Sequence, residues 1–327
     1  MSISRLLSTS PEKRNVAWLK ESLQFAIELE LATLPLYLCA NWSIKNSSGI
    51  AFDHIRRIAF QEMLHMAMAC NLLTTIGGTP AIANQQSVAR YPGSLPGGVR
   101  PGLVVYLSGL SEAFLQGVLM ELEFPQNGPV AFAVPGETFP TIGDFYDAIA
   151  NAFIQNQHEI TGERQLSASG GLLGQLKAIQ SLDDAKEAIA RIKEQGEGTT
   201  TSPNAVHFGG ELAHFYRLAE IKHGRSLVEV SSNEWRYEGA LVPFPDVLPV
   251  GKVPSGGYFG IPEIDAFDQQ FSKLLRTLED AWAEGNQEKL DEAMYMKMRR
   301  LASAGKAIME MPIGHGPSTY APCFRFV

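Results

Sequence analysis

The chain has 327 residues, of which 45% are hydrophobic and 19% are charged, and its formal net charge is −8. This composition argues against a disordered chain, because enough apolar side chains are present to form a large core. The negative charge argues against nucleic acid as a partner, since proteins that bind a phosphate backbone usually present a basic surface. The composition is typical of a soluble enzyme or binding protein.

The sequence gives no sign of export or membrane insertion. The beginning of the chain, MSISRLLSTSPEKR, has no apolar run long enough for a secretory signal. The best candidate for a membrane span, residues 24–40, carries both Glu28 and Glu30. The cysteines are odd in number, far apart and without CxxC spacing, which is typical of free thiols in a reducing compartment. They are Cys39, Cys70 and Cys323. We therefore expect a cytoplasmic protein with no membrane partner.

Two long helices are predicted first, over 12–45 and 51–76. Ser10 can cap the first of them and Pro11 suits its first turn, while Gly77-Gly78-Thr79-Pro80 ends the second. A short turn joins the two helices, so we expect them to lie antiparallel.

The rest of the chain predicts further helices separated by long connections. A Pro- and Gly-rich crossover covers 81–107, and a second irregular stretch covers 225–262. Helical patterns follow at 109–124, 141–157, 182–195, 204–223, 263–284 and 286–309. We expect one all-α domain over 1–327, with a bundle core over about 12–224 and a C-terminal loop and helical hairpin over about 225–327.

Glu30 lies in the apolar face of the first predicted helix. Its neighbours three, four and seven positions away include Leu23, Ala26, Ile27, Leu34 and Tyr37, whereas Glu28 shares a face with polar residues. A buried, ionised carboxylate is costly unless it pairs or binds a metal. We predict that Glu30 points inward, as a metal ligand or as the partner of an Arg or Lys, and that Glu28 points outward.

The second predicted helix adds Glu62 and His65, three residues apart in its apolar stripe. Glu-x-x-His is the spacing by which a bundle helix offers a carboxylate and an imidazole to a metal pair. The chain has three such pairs. Glu211 and His214 form the second, on one face of the helix predicted over 204–223.

The third pair, Glu220 and His223, is interpreted as structural. His223 precedes Gly224 at a predicted helix end, where an imidazole stabilises the last carbonyls. His207 lies one turn before Glu211 on the same predicted face. A histidine near a helix start is more often solvated or capping, so both roles stay open for it.

A di-metal carboxylate bundle needs one further acid from another helix. Glu121 and Glu123 lie at the end of one predicted helix, and Glu194 and Glu197 lie at the end of another. Both segments are equally typical of polar helix ends. The helical periodicity therefore does not show which of the four acids is the additional metal ligand.

Six segments, taken in order, resemble the ferritin-like domain that is also found in iminophenylpyruvate dimer synthases. They are ELELATLPLYL, FQEMLHMAMACNLLTTIGGTP, YPGSLP, TIGDFYDAI, EQGEG and ELAHFYRLAEI, within residues 12–310. Those synthases couple two oxidised aromatic amino-acid imines on the way to violacein- and rebeccamycin-type bis-indoles. The resemblance covers their ferritin-like part alone and does not extend to their long additional region.

The resemblance implies a ferritin-like antiparallel four-helix bundle with a long Pro/Gly-rich crossover and extra C-terminal helices. It also implies Glu197 of QGEG, and Glu123 before Phe124-Pro125, as motif acids. The predicted metal ligands are then Glu30, Glu62, His65, Glu197, Glu211 and His214, with Glu123 and His207 as further candidates.

Carboxylate and imidazole ligands suit iron or manganese, with zinc as an alternative. Together with the resemblance, they predict a metal-dependent oxidoreductase of the di-iron or di-manganese type. It would use dioxygen or peroxide on a small, amino-acid-derived aromatic or imine metabolite. The alternative is a non-catalytic ferritin-like protein that binds metal or a small ligand. The sequence assigns no catalytic residue and leaves the oligomeric state open, a homo-oligomer included.

Overall fold

The computed structural model describes residues 2–125, 142–168, 170–199 and 202–327, and these are mostly helical. Two small antiparallel β-hairpins, β1–β2 and β3–β4, accompany the helices. The helices are α1 (Ile3–Leu7), α2 (Val16–Trp42), α3 (Ile50–Thr75), α4 (112–122), α5 (Ile142–Gln155), α6 (Leu182–Glu197), α7 (His214–His223), α8 (Pro262–Glu284) and α9 (287–309). The strands are β1 (Gly93–Ser94), β2 (Val104–Val105), β3 (Val228–Ser231) and β4 (Glu234–Arg236).

Helices α2 and α3 form the antiparallel pair that the sequence predicts. Cross-helix hydrogen bonds join Asn41 to the Phe52 carbonyl, Thr33 to Glu62, and Lys20 to the Gly77 carbonyl. As the residue number on the α2 side falls from 41 to 20, the residue number of its bonded partner rises from 52 to 77, so the two helices run in opposite directions. The pair is the centre of the molecule, and most residues of both helices are buried.

Helix α2 begins where the Asn15 side chain accepts a hydrogen bond from the Trp18 amide, at 3.1 Å. It is long and apolar enough to cross a membrane by length and composition alone, the one such helix found in the described ranges. However, 89% of its apolar window is buried inside the structure. Such burial is typical of the core helix of a bundle, and α2 occupies that place here.

The α2–α3 pair is covered on both sides. On one side lie α4 to α7, which supply Tyr146, Gln195 and His214 to contacts with α2 and α3. On the other side lies the hairpin of α8 and α9, where the Trp282 indole donates to Asn71 Oδ1 at 2.9 Å. Buried side chains from Ile3 to Phe324 form one hydrophobic cluster. The C-terminal helices therefore share the core of the bundle.

The C-terminal hairpin leaves an apolar cavity against the central pair. The cavity is lined by side chains from α2, α3, α8 and α9. They include Leu31, Leu34, Met63, Met66 and Phe271.

The helix predicted over 204–223 is shorter in the structure, since α7 begins only at His214. Gly209 and Gly210 both have positive φ, 97° and 68°, and the Gly210 amide donates to the Ala205 carbonyl. Glycine adopts this backbone region without steric cost, and the two residues turn the chain back on itself. The prediction overlooked this Gly-Gly breaker. It also did not include the β3–β4 hairpin within the irregular stretch at 225–262.

Candidate metal centre

Three carboxylates and two imidazoles converge in the middle of the bundle. Glu30 comes from α2, Glu62 and His65 come from α3, Glu123 directly follows α4, and His214 opens α7. Ligand atoms of Glu30, Glu62 and His65 lie within 4.8 Å of one another, and so do those of Glu62, Glu123 and His214. Glu62 thus belongs to two groups, each with its own second carboxylate and its own imidazole.

Both imidazoles point the same nitrogen toward the carboxylates. His65 Nδ1 lies 3.4 Å from Glu62 Oε1 and 3.8 Å from Glu30 Oε2. His214 Nδ1 lies 3.2 Å from Glu62 Oε1 and 3.3 Å from Glu123 Oε2. The two rings are stacked, with centroids 5.6 Å apart. One oxygen of each carboxylate and one nitrogen of each imidazole therefore face a common centre.

A hydroxyl group holds the other oxygen of each carboxylate. Tyr146 donates to Glu30 Oε1 at 2.6 Å. The Thr33 hydroxyl donates to Glu62 Oε2, and the Tyr37 hydroxyl donates to Glu123 Oε1. Each of these carboxyl oxygens accepts the hydrogen bond, and Thr33 Oγ1 also lies 2.8 Å from the Glu30 carbonyl oxygen. Each contact thereby fixes which carboxylate oxygen turns to the centre.

Burial and mutual charge set the protonation of the centre. Burial, and then the charge of Glu62, raise the pKa of Glu30 well above its ordinary value. Burial would raise the pKa of Glu62 as well, but hydrogen bonds from His214 and His65 hold it below its ordinary value. Burial would lower the pKa of His214, but Glu123 and Glu62 raise it to about 9. In the metal-free protein, these raised pKa values favour protons on Glu30 and His214, which offset part of the negative charge of the three carboxylates.

These donors fit a metal pair. Within the described ranges, the ion pairs of the three carboxylates are made with His65 and His214 and not with a lysine or arginine. Buried carboxylates that are not neutralised by a lysine or an arginine commonly coordinate metals. Oxygen and imidazole donors suit iron, manganese or zinc. Glu30, Glu62 and His65 would hold one ion, and Glu62, Glu123 and His214 the other.

The comparisons with known proteins agree with this fold. The model of the Ferritin-like family matches residues 23–223, which is more than half of the chain. The chain belongs to the Ferritin-like family. A solved structure of a ferritin-like protein from Caulobacter vibrioides is similar, with a TM-score of 0.65 over 93% of this chain and 97% of that chain. The two sequences are 20% identical, so this likeness concerns the fold. None of the curated proteins matches.

Within this ferritin-like bundle, four of the predicted ligands are brought together: Glu30, Glu62, His65 and His214. Glu123 lies with them. The family resemblance suggested this acid, whereas the helical periodicity could not show which of the four candidate acids was the ligand. Glu30 is 6% exposed, while Glu28 is half-buried and bonded to the Gln24 amide at the edge of the pair. The prediction that Glu30 faces the interior is confirmed, whereas Glu28 is not fully exposed as predicted.

Glu211 lies outside the centre, which contradicts its predicted place beside His214. It precedes α7 instead of sharing a helical face with His214, because the Gly209-Gly210 turn breaks the helix. Its carboxylate pairs with Arg57 and, at 2.7 Å, with the buried Arg217. Glu211 thus neutralises a buried guanidinium.

His207 and Glu197 are not brought into the centre either. The side chain of His207 is 76% exposed, and its Nδ1 lies 3.1 Å from Glu194 Oε2. Glu197 is half-buried in the last turn of α6, close enough for its charge to act on Arg100. Neither belongs to the two groups of converging ligand atoms found in the described residues. The third Glu-x-x-His pair is structural here, since Glu220 pairs with His54 at 2.6 Å and His223 stacks on Tyr237.

The groups that orient the ligands were not predicted. They are Thr33, Tyr37, Gln61, Tyr146 and Gln195. Only Tyr37 carried a signal, because it shares the stripe of Glu30 and its hydroxyl would need a partner when buried. Tyr146 and Gln195 lie within the motifs TIGDFYDAI and EQGEG, but motif membership does not reveal which ligand they touch.

Proposed function

We propose that this ferritin-like protein is a di-metal oxidoreductase that uses dioxygen or peroxide to oxidise a small aromatic or imine metabolite. One observation carries the proposal: Glu62 is shared by two groups, each of which adds one acid and one imidazole of its own. A single structural ion would need only one of these groups. The symmetrical set suits a bridged pair of iron or manganese ions.

The bound ions would supply the redox chemistry, and the surrounding residues orient the ligands and exclude water. The hydroxyls of Thr33, Tyr37 and Tyr146 orient the carboxylates without adding charge. Burial raises the pKa of both tyrosines well above the ordinary value, so the phenols keep their protons and stay hydrogen-bond donors. A buried site of this kind also excludes bulk water from reactive intermediates.

The Glu123 end of the centre is its more open side. The Glu123 side chain is 11% exposed, compared with 0% for His214 and 2% for His65. Phe124 follows directly, with the Arg100 guanidinium over its ring and the edge of Phe215 against it. These aromatic faces and a cation would suit a flat aromatic substrate that carries a negative charge. The metabolite class itself follows from the resemblance to iminophenylpyruvate dimer synthases.

The experiment is reconstitution of protein purified without chelators and then freed of metal. Iron(II) or manganese(II) would be titrated under argon, the metal content measured, and oxygen consumption followed with and without aromatic amino-acid imines. Glu62→Gln is the site variant and Glu28→Gln the control. We expect two ions per chain and substrate-dependent oxygen consumption in the wild type and control only.

Two results would count against the proposal in different ways. Failure to bind more than one ion per chain would exclude a di-metal centre. Two bound ions without substrate-dependent oxygen consumption would favour the non-catalytic metal-binding alternative.

A further inference from the structure

Two glutamines stand behind the two imidazoles in matching positions. His65 Nε2 lies 3.0 Å from Gln195 Oε1, and His214 Nε2 lies 3.2 Å from Gln61 Oε1. In both rings, Nδ1 faces the carboxylates and Nε2 faces an amide oxygen. The arrangement is repeated although the supporting glutamines come from different helices, α6 for Gln195 and α3 for Gln61.

An amide oxygen accepts hydrogen bonds and cannot give one. The imidazole nitrogen that faces it must therefore carry the proton, whichever other atom is protonated. When a metal takes the lone pair at Nδ1, the proton stays at Nε2 and the bond to the glutamine is kept. Partners of this kind fix the orientation and the tautomer of metal-bound histidines.

The identity of these partners matters as much as their position. A carboxylate behind a ligand histidine draws its N–H proton and raises the basicity of the ligand. A neutral amide orients the ring without adding a negative charge to a centre that already contains Glu30, Glu62 and Glu123. Gln195 is only 4% exposed, so an ionised carboxylate in its place would lack solvation by water.

We propose that Gln61 and Gln195 are positioning residues that hold His214 and His65 with Nε2 protonated and Nδ1 turned to the metals. Their neutral amides keep the two imidazoles weaker donors than carboxylate-backed histidines would be. The redox potential of the centre is thereby held higher. The predicted effect on metal binding and on the potential rests on the proposed function. The predicted position of the protons rests on the glutamine–histidine hydrogen bonds alone.

The test compares Gln195→Leu and Gln195→Glu, together with the same two changes at Gln61, with the wild type. Gln116→Glu on the exposed face of α4 is the control. Zinc affinity is measured by competition, and the protonated ring nitrogen is identified by ¹⁵N NMR of histidine-labelled protein with and without zinc. The potential of the iron-loaded protein is measured for the Glu variants.

We expect the Leu variants to lose roughly 10- to 100-fold in zinc affinity, while the control keeps it. The Glu variants should regain zinc affinity and show a lower potential, which a purely space-filling role would not produce. Leu variants that bind zinc as the wild type does, or zinc coordinated at Nε2, would overturn the inference.

The inference and the proposed function fail separately. If the wild type binds no metal, the proposed function fails, and the metal-free NMR spectra alone decide the inference. A slowly exchanging Nε2 proton in the wild type that is lost in the Leu variants would still support the glutamine contacts. Its absence from the wild type would refute them.

Discussion

Glu62 and His214 face each other from α3 and α7, with 3.2 Å between Oε1 and Nδ1. These residues lie far apart in the chain, and the connections between α3 and α7 are long enough to bring α7 back beside α3. A second contact, between His54 and Glu220, lies about two turns away and shows that the two helices run antiparallel. The centre is thus assembled by the topology of the bundle, and each of its ligands can be tested separately.

Glu30→Gln should lower the metal content, whereas Glu28→Gln should leave it near the wild-type value. Glu30 Oε2 faces the centre, and an amide replaces this charged donor with a weaker ligand. Glu28 bonds instead to Gln24. Elemental analysis of both variants, purified side by side without chelators, makes the comparison. Equal metal loss in both would contradict the assignment.

Glu123 and Glu211 should respond in opposite ways. Glu123→Gln should reduce metal binding, because Glu123 Oε2 belongs to the second group of ligands. Glu211→Gln should leave metal binding intact and lower the free energy of unfolding by about 1–3 kcal/mol, since it removes the carboxylate that neutralises the buried Arg217 guanidinium. Metal titration and chemical denaturation of both variants separate the effects. Loss of metal from Glu211→Gln would show that Glu211 is a metal ligand after all.

The metal-free protein should become less stable as the pH rises from about 6.5 to about 9. The pKa of His214 is raised to about 9 from its ordinary value, and that of Glu30 is raised well above its own. Both groups then hold protons in the folded state that the unfolded chain has already released, so folding is favoured less as the pH rises through these values. Thermal unfolding of the metal-free protein at several pH values measures the slope. His214→Gln should reduce it, and an unchanged slope in that variant would show that His214 is not its source.

Gly305→Ala should destabilise the docking of the C-terminal hairpin by about 1–3 kcal/mol. A Cβ added at Gly305 would overlap the Trp42 ring, so Trp42 or α9 must move. Gly117 on α4 is the control, because an added Cβ there meets nothing within 4 Å. Chemical denaturation compares Gly305→Ala with Gly117→Ala. Equal stability of the two variants would show that α9 is loosely packed on α2.

The sequence predicted the long helices and the inward face of Glu30 because both depend on local periodicity. The boundaries of α2 and α3 fall within a few residues of the predicted ones, apart from the N-terminal end of α2. Glu62 and His65 could be paired for the same reason, since side chains three positions apart on a helix lie on the same face.

The prediction was wrong at Glu211, where it extended the helical period across Gly209 and Gly210. Both glycines have positive φ angles, so the helix does not continue through them despite the helical spacing of the apolar residues. Glu123 could not be chosen from the pattern, because it follows a helix with a π-helical segment, Leu115–Leu119, that shifts the side-chain phase. Gln195 and Tyr146 touch ligands from other helices, and such contacts depend on the tertiary arrangement alone.

The C-terminal hairpin has a consequence for any attempt to shorten the protein. The family match ends at residue 223, which would suggest that a fragment ending near there is a complete unit. Without α8 and α9, however, the side chains of Leu31, Leu34 and Met66 would lose their cover and face water. Exposed apolar patches of this kind promote self-association. A fragment that ends before Pro262 should therefore aggregate even though it retains every residue of the metal centre.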